Sequence, residues 1–132
     1  MYGDNWREGP TPIPIGCYDF VGLVRCKNGS AILSSATIEL WEDDLFWDDH
    51  LHTQKLRILS NGKTAGFSFQ KCDDDGRILL IGPKFDNIEL YYFFKNVCFE
   101  GDKYVAETVE VETHNKTNVY ILDGEYAYLF FE

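Results

Sequence analysis

The chain predicts an all-β fold, an antiparallel sandwich or barrel, on three observations. Short apolar runs alternating with period two follow one another from Tyr18 to Phe131. Polar turn signals separate them, with no helical period in between. Aromatic residues make up 16% of the sequence, and helix-favouring patterns are scarce. A length of 132 residues fits one domain around one core.

Residues 1–16 carry Pro10, Pro12 and Pro14 at alternate positions. Each proline removes a ladder donor, so this segment reads as an extended, poorly paired arm preceding a domain over 17–132. Strands are expected over about 18–26, 36–41, 55–59, 64–72, 78–81, 88–98, 104–113, 118–122 and 125–131. Asn28-Gly29, Asn61-Gly62, Gly82-Pro83 and Gly101-Asp102 punctuate them, and Asp123-Gly124 between two apolar runs is a type I′ hairpin signal. The longest stretch without β character, residues 42–52, reads as a loop or one helical turn. It carries Leu45, Phe46 and Trp47, which either plug one end of the sandwich or contact a partner.

Strand parity sorts the four cysteines. Cys26 shares a face with Phe20 and Val24, and Cys98 with Leu90, Tyr92 and Phe94, so both point toward a core. Cys17 and Cys72 lie on the opposite, polar faces of their runs. Four cysteines allow three connectivities; facing direction favours Cys26 with Cys98 and Cys17 with Cys72, and four unpaired thiols are the alternative. Asn28-Gly-Ser and Asn115-Lys-Thr are glycosylation sequons, Asn28 and Asn115 both falling in polar turns. With the even cysteine count they favour a secreted chain, its signal peptide already removed, since no basic-then-apolar leader precedes Tyr2.

The formal net charge of −10, from 22 acidic and 12 basic residues, argues against nucleic acid as a partner, because such binding needs basic groups to meet phosphates. No apolar run is long enough to span a membrane.

The ordered motifs Val21-Gly-Leu-Val-Arg-Cys26, Ile38-Glu-Leu-Trp-Glu-Asp-Asp44, Thr64-Ala-Gly-Phe-Ser-Phe69 and Ile88-Glu-Leu-Tyr-Tyr-Phe-Phe-Lys-Asn-Val-Cys98 resemble the nematode transthyretin-like family over about residues 20–131. The resemblance implies a transthyretin-like (prealbumin-like) β-sandwich of about seven to nine strands, braced by a disulfide between Cys26 and Cys98, in a secreted protein. It also implies an extracellular bridging role, since a family member links phosphatidylserine on dying cells to an engulfment receptor. Two departures stand out: the long run ends Lys95-Asn-Val-Cys98 without the histidine common there, and Cys17 and Cys72 are additions. The family's hydrolytic relatives end in Tyr-Arg-Gly-Ser, whereas this chain ends Tyr128-Leu-Phe-Phe-Glu132.

No catalytic constellation assembles from the residues, so an enzyme is not expected. The histidines are His50, His52 and His114; His50-Leu-His52 could offer two imidazoles to a metal, short of the four ligands of a zinc site. No cofactor is implied. The weak calcium candidates are Asp43, Asp44, Asp48 and Asp49 in one cluster and Asp73, Asp74 and Asp75 in another, neither with the spacing of a calcium-binding loop. Aromatics supply the other candidates. Tyr91 and Phe93 occupy the outward face of the long run, and Tyr126 and Tyr128, with Phe130, one face of the last. Both faces of these runs are apolar, which either reflects cover within the domain or marks a binding surface. The expected function is thus a secreted, non-enzymatic binding module, bridging phosphatidylserine to an engulfment receptor in apoptotic cell clearance. Its partners would be an extracellular or cell-surface protein, or a lipid. The alternative is a carrier of a small hydrophobic ligand in an oligomeric channel.

Overall fold

A computed structural model describes residues 11–14, 17–43, 48–72, 87–111 and 115–132. It is all-β, with no helix among the described residues. The strands are β1 (Thr11–Pro14), β2 (Cys17–Cys26), β3 (Thr37–Glu42), β4 (Asp49–Lys55), β5 (Arg57–Ile58), β6 (Thr64–Cys72), β7 (Asn87–Lys95), β8 (Lys103–Ala106), β9 (Asn118–Asp123) and β10 (Tyr126–Phe131). They form one nearly closed sheet in the order β4-β3-β7-β8-β10-β9-β2-β6-β5, with β1 added to β7. The path folds into two layers. β4-β3-β7-β8 faces β10-β9-β2-β6, and the joint between them is a single parallel bridge, Tyr126 to Val105. β2 also pairs in parallel with β9, while the remaining strand pairs are antiparallel.

Alternation fixes the inner faces. Phe20, Val24 and Cys26 of β2, Ile38 and Leu40 of β3, Leu90, Tyr92 and Phe94 of β7, and Tyr120 and Leu122 of β9 are all buried. The centre is aromatic: Phe67 meets Tyr92, Phe94 and Tyr120 with ring centres 5.3–6.2 Å apart. Gly22 belongs to this packing, since a Cβ there would lie 2.9 Å from Cζ of Phe67. Tyr120 donates to the carbonyl of Thr108 at 3.1 Å, whereas the equally buried hydroxyl of Tyr92 has no partner among the described residues.

The disulfide joins Cys26 to Cys98, Cα atoms 5.9 Å apart, and so staples the end of β2 to the turn after β7 across the two layers. Cys17 is also disulfide-bonded, and the β2–β6 register sets it directly across from Cys72, whose side chain lies outside the described residues. Both results agree with the pairing that facing direction favours.

Several boundaries depart from the expectations. The long run ends as a strand at Lys95, three residues before Cys98, because the Asp102 carboxylate accepts N–H groups from Val97, Cys98 and Phe99 at 2.7–2.9 Å. Asn96, at φ 56°, turns the backbone, and its Oδ1 accepts the Gly101 N–H at 2.7 Å. The run expected over 104–113 is the short β8 followed by one isolated bridge, Val111 to Phe20. The 123–126 hairpin is present, but its two-residue loop is Gly124-Glu125 and only Gly124 has positive φ, the pattern of a type II′ rather than a type I′ turn.

Two strands stand where no paired element was expected. β1 lies within the proline arm and pairs with β7 from Thr11–Leu90 to Pro14–Asn87. Prolines at alternate positions delete donors from one edge only, so Thr11 and Ile13 keep their N–H groups for a neighbour. β4 covers Asp49–Lys55, part of the stretch expected as a loop. A bulge opposite Leu40 and Trp41 breaks its alternation: Leu40 pairs with His52, Trp41 with His50. The strand predicted over 78–81, the Leu45–Trp47 segment and His114 lie outside the described residues.

Candidate functional site

Two aromatic surfaces lie on the outside of the nearly closed sheet, one on β3 and β7 and one on β10. On β3 and β7, Trp41, Tyr91 and Phe93 point outward as cross-strand neighbours. The Trp41 and Tyr91 rings are 6.4 Å apart at 13°, and Phe93 stands edge-on to both. This surface is covered from within the chain. Tyr91 is only 8% exposed and donates its hydroxyl to Asp48. Burial and that carboxylate push its hydroxyl pKa far above the ordinary tyrosine value. The Lys103 ammonium sits 4.2 Å from the Phe93 ring centre, with Lys95 at 5.8 Å. Lys95 also pairs with Glu39 at 3.1 Å, and Glu39 accepts the Trp41 indole N–H at 2.9 Å. Burial opposes ionisation of Glu39, but these hydrogen bonds and the lysine charge win, leaving its carboxyl below the usual range.

The second surface is bare. On β10, Tyr126, Tyr128 and Phe130 alternate outward and are 43%, 50% and 53% exposed. Beside them on the outer face lie Val119, buried, and Ile121, half-buried, of β9, then Leu23, half-buried, and Val21, exposed, of β2. Phe131, on the other side of β10, is 47% exposed, with the Lys116 ammonium 5.6 Å from its ring centre. Ion pairs mark the rim: Arg25 with Glu132 at 2.8 Å, and Lys27 with Asp123 at 3.2 Å. The hydrogen bonds and charge of Arg25 hold the Glu132 carboxyl below its usual range. A groove of about 460 Å³ between residues 21–23 and 115–118 borders this face.

The structure thus separates candidates that sequence pattern grouped. Tyr126 and Tyr128 are open, while Tyr91 is buried and Phe93 half-buried under lysines. Leu45, Phe46 and Trp47 lie outside the described residues. Phe130 joins the open face and Phe131 is exposed on the other side of the strand; their signal was the uncharged run of β10. Phe99, 63% exposed beside the disulfide, gave no sequence signal beyond its position after Cys98. Asn28 and Asn115 are both exposed, and the Asn28 Oδ1 accepts the Ser30 N–H at 2.9 Å.

Among the described residues the metal candidates do not converge. No group of three or more His, Cys, Asp or Glu side chains suited to a metal occurs among the described residues. The bulge in β4 parts the two imidazoles. His50 meets Trp41 outside, ring centres 5.2 Å apart, while His52 stacks on Phe69 of β6 at 4.2 Å, bridging the layers. Asp48 is engaged by Tyr91, the Asp43 N–H bonds the Glu89 carbonyl, and Asp49 pairs across from Glu42. Asp44, Asp73, Asp74 and Asp75 lie outside the described residues. No helix among the described residues is long and apolar enough to cross a membrane. No family model, curated protein or solved structure matches this chain.

Proposed function

We propose that this chain is a secreted, non-enzymatic binding module of transthyretin-like type that engages its partner through the outer face of β10. The observation that carries this reading is the run Tyr126, Tyr128 and Phe130, 43–53% exposed along one face of a strand. Large aromatic side chains ordered at little entropic cost are the groups that dominate recognition surfaces. The two-layer sheet and the Cys26–Cys98 brace support the family reading. The bridging role between phosphatidylserine and an engulfment receptor comes with that resemblance.

The test is vesicle flotation, with phosphatidylserine and with neutral lipid, alongside capture of cell-surface proteins, comparing the native chain with Tyr128→Ser/Phe130→Ser. The expected result is capture by the native chain and loss in the variant. Equal capture by both would remove β10 as the binding face. Absence of flotation with phosphatidylserine, with or without chelator, would remove the lipid half of the bridge. The second reading, a carrier of a small hydrophobic ligand, is favoured by the groove of about 460 Å³ beside Val21 and Leu23. It requires an oligomer, and a monomeric mass at micromolar concentration counts against it.

A further inference from the structure

Sheet edges offer unpaired N–H and C=O groups to other chains, and proteins blunt them with proline, charge, bulges or shortness. Three edges of this sheet follow that rule. β1 reads Thr-Pro-Ile-Pro; β4 begins at Asp49, ends at Lys55 and carries the bulge; β5 has two residues. β10 does not follow it. It reads Tyr126-Ala-Tyr-Leu-Phe-Phe131, six residues without a charge or a proline.

Its register shows which backbone groups stand open. Thr117 and Glu132 exchange both backbone hydrogen bonds, at 2.8 and 3.0 Å. In an antiparallel ladder such pairs recur at every second residue, so Tyr126, Tyr128 and Phe130 bond β9. Leu129 and Phe131 therefore turn their N–H and C=O groups to the opposite edge. β8 reaches that edge only at Tyr126, with the Val105 N–H on the Glu125 carbonyl at 3.0 Å, and ends at Ala106. Among the described residues nothing pairs with Leu129 or Phe131 there.

We propose that β10 accepts an extended, basic segment of a partner protein as an added strand, bonded to the backbone of Leu129 and Phe131. The partner's alternate apolar side chains would pack beside Tyr128 and Phe130. Charge selects this occupant over a second copy. The chain carries −10, Glu107 and Glu110 follow β8, and Glu125 precedes β10, three acidic residues against the Lys116 ammonium 5.6 Å from the Phe131 ring centre. A basic strand is drawn to that field, whereas another copy brings the same −10 to it. This inference rests on β10 being the binding face and adds how the partner is held.

The test uses the full chain and two synthetic probes, the alternating peptide Lys-Val-Lys-Val-Lys-Val-Lys and its glutamate counterpart. Binding of the lysine peptide is expected, weakening as salt rises, with slowed amide exchange at Leu129 and Phe131. Leu129→Pro removes one outward donor and leaves the β9 ladder intact; N-methyl-leucine at 129 does the same with the side chain kept. Each should weaken the lysine peptide at least about tenfold, the scale of a lost interfacial hydrogen bond. Unchanged affinity in the N-methyl form, or equal binding of the glutamate peptide, overturns the proposal, as does a native dimer protecting the same two amides. Tyr128→Ser/Phe130→Ser separates the two ideas. If it abolishes binding while N-methylation does not, the face stands and the added strand falls. If N-methylation alone abolishes binding, the added strand stands and the aromatic face falls.

Discussion

The two outer aromatic surfaces are built from the same residue types on the same kind of strand, and they end in opposite states. On the β3–β7 layer, Lys103 covers Phe93, Asp48 takes the Tyr91 hydroxyl, and Glu39 takes the Trp41 indole. On β10, Tyr126, Tyr128 and Phe130 receive no comparable cover. The difference lies in the neighbours. β7 is flanked by β3 on one edge and by β8 and β1 on the other, so charged side chains reach across it from both directions. β10 has a full neighbour on one edge only. An aromatic strand becomes a candidate surface when its position leaves it uncovered.

The comparison holds only while both layers keep their places, and the largest expected effect tests that. Cys26→Ser/Cys98→Ser opens a loop closed over 72 residues of separation, and a loss of about 4 kcal/mol in urea unfolding is expected. A loss below about 1 kcal/mol would show the layers held without the staple.

Alkaline pH probes the buried tyrosines next. Burial pushes the Tyr104 hydroxyl up to about 12, helped by Asp102, and Tyr91, Tyr92 and Tyr120 are raised as well, burial leading in each. In the fold these groups keep their protons above the unfolded value near 10. Their contribution is therefore complete below pH 10 and is lost as pH rises through the folded values. Unfolding free energy should fall from pH 10 upward, and Tyr104→Phe should shallow the fall between 10 and 12. An identical slope in that variant would detach Tyr104 from the effect.

Tyr92→Phe removes a buried hydroxyl with no partner among the described residues, and a gain of about 1 kcal/mol is expected in the same unfolding assay. Lys95→Ala/Lys103→Ala uncovers Phe93. It should cost about 1 kcal/mol and raise binding of a hydrophobic dye, converting the covered surface toward the β10 state. The smallest change in stability, within about 0.5 kcal/mol, is expected for Tyr128→Ser/Phe130→Ser, because these side chains are already half in water. A large loss there would make β10 a structural face.

Much of this was legible in the chain. Strict alternation in β2 and β7 gave the core, and parity gave the cysteine facing, because both depend only on local backbone geometry. β4 was not legible, since one bulged residue breaks the alternation that would announce a strand. β1 was hidden because proline argues against pairing without saying which edge it spares. Cover on the aromatic faces was also unreadable. Lys103 and Asp48 reach Phe93 and Tyr91 only through the fold, and nothing in the runs around Phe93 or Tyr128 records which one has such neighbours.

The staple between Cys26 and Cys98 also sets how the molecule behaves under tension. A pull on the two ends of the chain bypasses the segment between the cysteines, because the covalent bridge carries the load. At about 3.4 Å per residue, the separation of 72 residues withholds roughly 240 Å of extension. Stretched between two tethers, the oxidised protein would release only its outer segments, and the full lengthening of that size would appear once both this bridge and the one at Cys17 are reduced. A bridge between two surfaces would then be short and stiff while oxidised, and long and compliant once reduced.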